Sequence, residues 1–264
     1  MEVKDYQYLQ VERRLDDQIA IVQIQRPEAM NALNSKVVKE LKDTVTQLEN
    51  DPPITCVVLT GNPGYFVAGA DVREMNGLSV KDAYLFAKEM KALHDQIVQS
   101  KKPYIAAIQG YCLGGGFELA LACDIRLADE TAKFGLPEIN LGIIPGGGGI
   151  QRLLELVGTS QASQIIMTGD MFDAERAEEL MVVNSISTDV VEEAISIATK
   201  MGSKSRYALA ASKKLLNQRK LNQSTKDFEE ELHEFALLFD YPDAFEGMSA
   251  FIEKRKPAFQ KGES

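Results

Sequence analysis

The stretch "GYCLGGGFELALACDI", residues 110–125, sets three consecutive glycines directly before Phe117, then a glutamate and an apolar, helix-forming run. Glycine reaches backbone angles closed to other residues and leaves its N–H unshielded, and the N–H groups at a helix start have no intrahelical partner. That end of a helix also carries partial positive charge. Such a turn can hold an oxyanion. Acyl chemistry is one use for it, because N–H groups aimed at a carbonyl oxygen stabilise the charge it gains in an enolate-like transition state. Taken alone, the stretch also reads as a tight turn with close backbone packing.

Two further islands interrupt ordinary core text: "YFVAGADVREM" (65–75) and "FGLPEINLGIIPGGGGIQRL" (134–153). Glu118 in "FELALAC" and Glu138 in "FGLPEINLG" both stand among apolar residues. Burial disfavours a charged carboxylate, so such groups have raised pKa values and can exchange protons near neutral pH. For either glutamate alone, a paired or partly exposed structural role is the competing reading. Twenty residues apart, the two cannot share one helix face, and spacing does not show that they meet.

Around these islands, strand and helix alternate. "QIAIVQIQ" (18–25) largely alternates apolar and polar residues and is closed by Pro27, as expected of a strand entering a turn. Val37, Leu41, Val45 and Leu48 recur at intervals of three or four, which predicts a helix with Ser35 as cap and Pro52 as stop. "ITCVVLTG" and "YIAAIQG" read as buried strands, and the "KDAYLFAKEMKALHDQIVQS" between them as a helix. This order favours an α/β layered architecture. After about residue 190 every segment is helical in period. Phe228, Leu232, Phe235 and Phe239 there form an apolar stripe that a small appendage is not expected to cover alone, which predicts assembly through these helices. No internal repeat is visible by eye.

At 264 residues and 45% apolar composition, the chain can bury a full core without staples. Cys56, Cys112 and Cys123 lie in apolar runs and form no C-x-x-C pair, so neither a disulfide nor a metal framework is expected. The charged start "MEVKDYQYLQ" lacks the apolar core of a signal peptide, and no run approaches a membrane span. The expectation is a soluble cytoplasmic protein. A net charge of −10 opposes binding to nucleic acid.

The sequence resembles the enoyl-CoA hydratase/isomerase, or crotonase, superfamily over nearly its whole length. "RPEAMNALN", "FVAGADVREM", "GGGFELALACDIRLA", "KFGLPEINLGIIPGGGGIQRL", "TGD" and "EGMSAFIEKRKPAF" occur in family order. The resemblance implies an α/β fold with a crotonase-like spiral of ββα units over residues 1–195 and a C-terminal helical oligomerisation region over 196–264, assembled as a homotrimer or homohexamer. It implies an acyl-CoA thioester substrate, with coenzyme A part of that substrate and no separate cofactor or metal. Gly115 and Ala70 would donate N–H groups to the thioester oxygen, while Glu118 would direct water to C3 and Glu138 exchange a proton at C2. Coenzyme A contacts would come from Glu28, Ala29 and Met30 on the adenine side, from Ala68, Asp71, Val72 and Arg73 along the ligand, and from Phe235 and Lys254 across a subunit contact. Arg73 and Lys254 also read as solvated surface cations. Phe117, Gly147 and Ile150 depart from the family's usual residues and are expected to reshape the acyl pocket.

Other chemistries lack their motifs. There is no G-x-S-x-G turn, and His94 and His233 read as surface or packing residues in helical charged text. "IIPGGGGIQ" has no Lys or hydroxyl where a P-loop needs them; its glycines read as the start of the helix "IQRLLELVG". A Δ3-Δ2 enoyl-CoA isomerase, a pathway-specialised hydratase and a noncatalytic RNA- or protein-binding member remain the alternatives to an enoyl-CoA hydratase.

Overall fold

The computed structural model describes residues 6–15 and 18–259, with backbone only for 218–227; the extreme N-terminal segment and the tail beyond 259 lie outside the described residues. β1 (Leu9–Arg14) pairs antiparallel with β2 (Ile19–Ile24). After α1 (Ser35–Glu49), β3 (Cys56–Thr60) joins β2 in parallel, β4 (Tyr65–Val67) leaves for a second sheet, and α2 (Val72–Met75) and α3 (Val80–Gln99) follow. That unit of first-sheet strand, second-sheet strand and helix recurs twice. It returns as β5 (Tyr104–Ile108), β6 (Tyr111–Leu113) and α4 (Gly115–Ala122), and again as β7 (Ile125–Ala128), β8 (Lys133–Gly135) and α5 (Gly149–Thr168). β9 (Phe172–Asp173), α6 (Ala174–Glu179) and β10 (Ser185–Ile186) complete the sheets, before α7 (Val190–Gly202), α8 (Arg206–Leu237) and α9 (Pro242–Ile252).

The first sheet runs β1-β2-β3-β5-β7-β10 and the second β4-β6-β8-β9. This is the ββα repeat that the resemblance implied, although the text shows no repeat. All pairings from β2 to β10 in the first sheet are parallel. A parallel sheet is covered on both faces, which explains why β2 buries Ile19, Ala20, Ile21 and Val22 in succession rather than alternating. Val190, Ala194 and Ala198 of α7 cover one face against Ile21, Val58 and Ile105. The other face packs on Val37 and Leu41 of α1 and Leu93 and Ile97 of α3.

Two local expectations change. The α1 cap is Asn34, whose side chain accepts from the Val37 N–H at 2.9 Å, while Ser35 opens the helix and donates its hydroxyl to Glu74. The "IQRLLELVG" helix is real but broken at Gly158, where φ is 75° and ψ 166°.

The C-terminal stripe is a larger correction. Phe228, Leu232 and Phe235 are buried within their own chain, because α8 lies along α3; Leu232 and Phe235 meet Met75, Ala83 and Ala87, and Phe239 is packed against the same cluster. The stripe therefore gives no reason to expect a partner. The division between 195 and 196 falls inside α7.

The turn from β3 to β4 leaves no room for a side chain at Gly61, where a Cβ would overlap the carbonyl oxygens of Tyr65 and Phe66. Gly61→Ala is expected to cost roughly 1–3 kcal/mol through overpacking, read as a lower Tm with the folded fraction keeping its other properties. An unchanged Tm would show that the turn yields freely.

Candidate active site

β4, β6 and β8 are parallel neighbours, with Val67 opposite Cys112 and Leu113 opposite Gly135. Their C-terminal ends therefore lie side by side. The chain leaving β4 carries Ala70, the chain leaving β6 turns into α4 at Gly115, and the chain leaving β8 enters the 3-10 turn Pro137–Leu141 with Glu138.

The Ala68–Asp71 segment is held against residues 30–33, with Ala68 N–H donating to Met30, Leu33 N–H to Gly69 and Asp71 N–H to Leu33. The Ala70 N–H finds no acceptor among the described residues. Gly114 donates to Gly135 O at 2.9 Å and then turns with φ 48° and ψ −126°, a conformation only glycine takes without strain. The next N–H, that of Gly115, is also without an acceptor. A Cβ on Gly115 would stand 3.4 Å from Ala70 N, so the two free donors are neighbours.

Glu118 lies one turn into α4 and is 3% exposed. Its Oε1 accepts from Gly147 N–H at 2.9 Å and Gly149 N–H at 2.8 Å, at the start of α5. Burial raises its pKa, while the Gly149 and Gly147 N–H groups and then Arg152 pull it back. Glu138 has only its own backbone N–H for support. Its Oε2 is enclosed without a donor among the described residues, while Oε1 faces Gly114, where a Cβ would come within 2.8 Å. Burial first, and then the charge of Glu118, hold its carboxyl well above the usual range. Both carboxyls are thus pushed up, Glu138 further than Glu118, because the N–H groups at the start of α5 act on Glu118 alone.

Both carboxyls, Ala70 and Gly115 line one cavity of ≈ 530 Å³. Of the residues that the resemblance assigns to coenzyme A, Met30, Ala68, Val72 and Phe235 line it too. Phe235 does so in its own chain. Glu28, Ala29, Asp71, Arg73 and Lys254 are not in its walls. Asp71 pairs with Arg26 at 2.7 Å and caps α2, and Arg73 and Lys254 are exposed. Phe117 does not shape the pocket: it is wholly buried, edge-on to Phe134 and Phe172 at 5.6 and 6.0 Å. Ile150 is outside the walls as well, whereas Gly147 is part of them.

Several neighbours escaped the sequence reading. Met75, Phe86, Met90, Tyr111 and Met171 complete the apolar wall. Behind Glu118 lie His94, fully buried, Arg152 and Glu231. His94 had a signal: residues 83, 87, 90, 94 and 97 recur at helical spacing, which puts it on the buried face of α3. Glu231 sits in charged text of α8, and nothing local marks it. It accepts from Gln151 N–H at 3.2 Å and burial pushes its pKa up to about 8. His233 is exposed.

Fold and site together describe an α/β enzyme that can polarise a carbonyl between two backbone donors and move protons with two unlike carboxyls. The chain belongs to the enoyl-CoA hydratase/isomerase family, whose model matches residues 14–262. It is 40% identical over 247 residues to a crotonyl-CoA hydratase from Syntrophomonas wolfei, covering 92% of this chain and 95% of the relative. It is also 40% identical to a mitochondrial enoyl-CoA hydratase from Pongo abelii over 262 residues, 97% of this chain and 89% of that one. A crystal structure of an enoyl-CoA hydratase from Mycobacterium avium superposes with a TM-score of 0.85 at 34% identity, covering 95% of this chain and 98% of the other.

Burial, followed by the charges of Arg152 and Lys91, drives the His94 pKa down to about 3. Between pH 3 and about 6.5 the unfolded chain therefore binds a proton that the native His94 refuses. The stability this neutral imidazole contributes is complete above that window and is lost as pH falls. Denaturant titrations of wild type and His94→Asn should show their difference shrinking by about 1.4 kcal/mol per pH unit on descending through it. A pH-independent difference would mean that His94 is protonated in the fold.

Proposed function

We propose that the protein adds water across the 2,3 double bond of a 2-enoyl-CoA thioester to give a 3-hydroxyacyl-CoA. The observation that carries this reading is the pair of buried glutamates, of which Glu118 accepts from the start of α5, facing one cavity beside the free N–H groups of Ala70 and Gly115. With the thioester oxygen between those donors, charge gained by the enolate is stabilised where it forms. Glu118, the carboxyl with stabilising donors, takes a proton from water as its oxygen bonds to C3. Glu138, held neutral by burial, delivers a proton to C2. One O–H bond of water is broken and one C–O and one C–H bond are made. Glu118 ends holding the proton taken from water, Glu138 has lost its own to C2, and proton exchange with solvent restores both.

Coenzyme A enters as part of the substrate, and the reaction calls for no separate cofactor or metal. Met30, Ala68, Val72 and Phe235 offer apolar contacts along the thioester arm. Glu28, Ala29 and Asp71 belong to the segments that carry Met30 and Ala70. Arg73 and Lys254, exposed cations without a carboxylate partner among the described residues, suit its phosphates. The cavity walls are apolar apart from the two carboxyls, Asn140 and Tyr111 with its hydroxyl, and include no Lys or Arg among the described residues, which favours a hydrocarbon acyl group over a carboxylated one. We also propose that the chain works as a homotrimer or homohexamer. Tyr207, Leu215 and Leu216 of α8 are 81%, 67% and 74% exposed, which favours cover by another copy.

Glu118→Gln and Glu138→Gln should each slow hydration of crotonyl-CoA or a related enoyl-CoA by at least about a hundredfold, the scale of lost general acid-base catalysis. Folded variants with near wild-type rates would remove the hydratase reading, and a panel of short, long, branched and carboxylated enoyl-CoAs would place the acyl preference. Light scattering at micromolar concentration should return a multiple of three chains, and a monomeric mass would refute the assembly.

A further inference from the structure

Gly147 ties Glu118 to a group that never reaches the cavity. Its N–H donates to Glu118 Oε1, and its carbonyl accepts twice, from His94 Nδ1 at 2.8 Å and from Arg152 at 2.8 Å. We infer that His94 is a positioning residue for Glu118: by donating from Nδ1 to the Gly147 carbonyl, it fixes the glycine turn whose N–H groups hold and aim the Glu118 carboxylate. The inference rests on the reading of Glu118 as the group that activates water.

A carbonyl oxygen only accepts, so Nδ1 must carry the proton of the neutral ring. Nε2 is then a bare acceptor, enclosed and without a hydrogen-bond partner among the described residues. Protonation would add a donor with nothing to meet and a charge in a crowded electrostatic setting. Lys91 on its own helix and Arg152 on α5 already press on His94 with positive charge, while Asp95, Glu118 on α4 and Glu231 on α8 act on Arg152. Asp95 is not open to His94 as a partner, because it pairs with Lys91 at 2.5 Å and Arg152 at 3.2 Å. The ring is therefore locked in one tautomer and carries no proton to or from the site.

The fit is steric as well as polar. A Cβ on Gly147 would come within 2.7 Å of Glu118 Oε2 and 2.9 Å of His94 Cε1, so the bare glycine is what lets ring and carboxylate both approach the turn. Gly149 is under the same constraint, with a Cβ 2.7 Å from Glu118 Oε1. The turn has no side chains of its own with which to anchor itself. Its shape comes from His94 and Arg152 behind it and from Glu118 in front.

The test compares His94→Phe, which keeps a ring but cannot donate, with His94→Asn, whose amide can donate from near the Nδ1 position. His94→Phe should lower kcat about tenfold, the worth of the Gly147 N–H bond to the charged Glu118 that the loosened turn no longer holds, with KM little changed. Glu118 would also lose a firmly held N–H, so the acid limb of the kcat/KM profile should move up by about one pH unit. His94→Asn should recover most of kcat and the wild-type acid limb even though its smaller side chain lowers Tm. Equal losses in both variants that follow Tm, with an unshifted acid limb, would overturn the positioning role. Nitrogen NMR of wild-type protein labelled at histidine gives a check that needs no variant: a neutral Nδ1–H ring at pH 6 agrees with the proposal, and a charged or Nε2–H ring refutes it. Glu118→Gln separates the two levels. If that variant keeps its rate, the function reading fails; if it loses the rate while His94→Phe keeps both rate and profile, only the positioning role fails.

Discussion

The parallel pairing of β4 with β6 and of β6 with β8 places three chain exits at successive strand spacings, about 4.8 Å apart, and each exit delivers one part of the site. The strands are only three residues long, yet their order decides which backbone N–H groups and which carboxyl become neighbours. Any register slip would move Ala70 away from Gly115 or Glu138 away from Gly114. The larger first sheet sets that register indirectly, because each short strand follows a first-sheet strand through a tight turn such as the one at Gly61. The ββα repeat is therefore the device that aligns three distant pieces of sequence.

Burying several ionisable groups behind this alignment is costly unless donors are supplied. The start of α5 supplies them. Gly147 and Gly149 face Glu118, and Gln151 faces Glu231, so two buried carboxyls draw on one helix N-terminus. Arg152 lies between them, bonded to Gly147 O and Asp95 and stacked over Phe228 at 5.0 Å. Glu138 is left out of this arrangement, and its burial beside the charge of Glu118 favours its protonated form.

The C-terminal helices finish the cavity. Phe235 of α8 and Phe251 of α9 join Ile143 and Ile144 in its wall, and α9 packs on the 3-10 turn that carries Glu138. Met30, Met75, Met90 and Met171 contribute unbranched side chains that can adjust to different acyl shapes. The same helices bring Glu231 to the start of α5, so the region that reads as an appendage is part of the electrostatic setting of Glu118.

Local periodicity in the sequence was enough to determine the alternation of strand and helix, the apolar face of α1 and the helical C-terminal region, because these depend on neighbours within a turn or two of chain. The apolar surroundings of Glu118 and Glu138 were legible for the same reason. The assignment of strands to two sheets was not, since β4, β6 and β8 are too short to show a period. Phe117 shows the limit from the other side: its neighbour in sequence is Glu118, but helix geometry turns the ring into an aromatic core with Phe134 and Phe172. Whether Glu118 and Glu138 would meet, which one would be given donors, and that His94 and Glu231 would stand behind them were decided only by the tertiary structure, because each depends on contacts between segments tens of residues apart, and on how far those contacts exclude water.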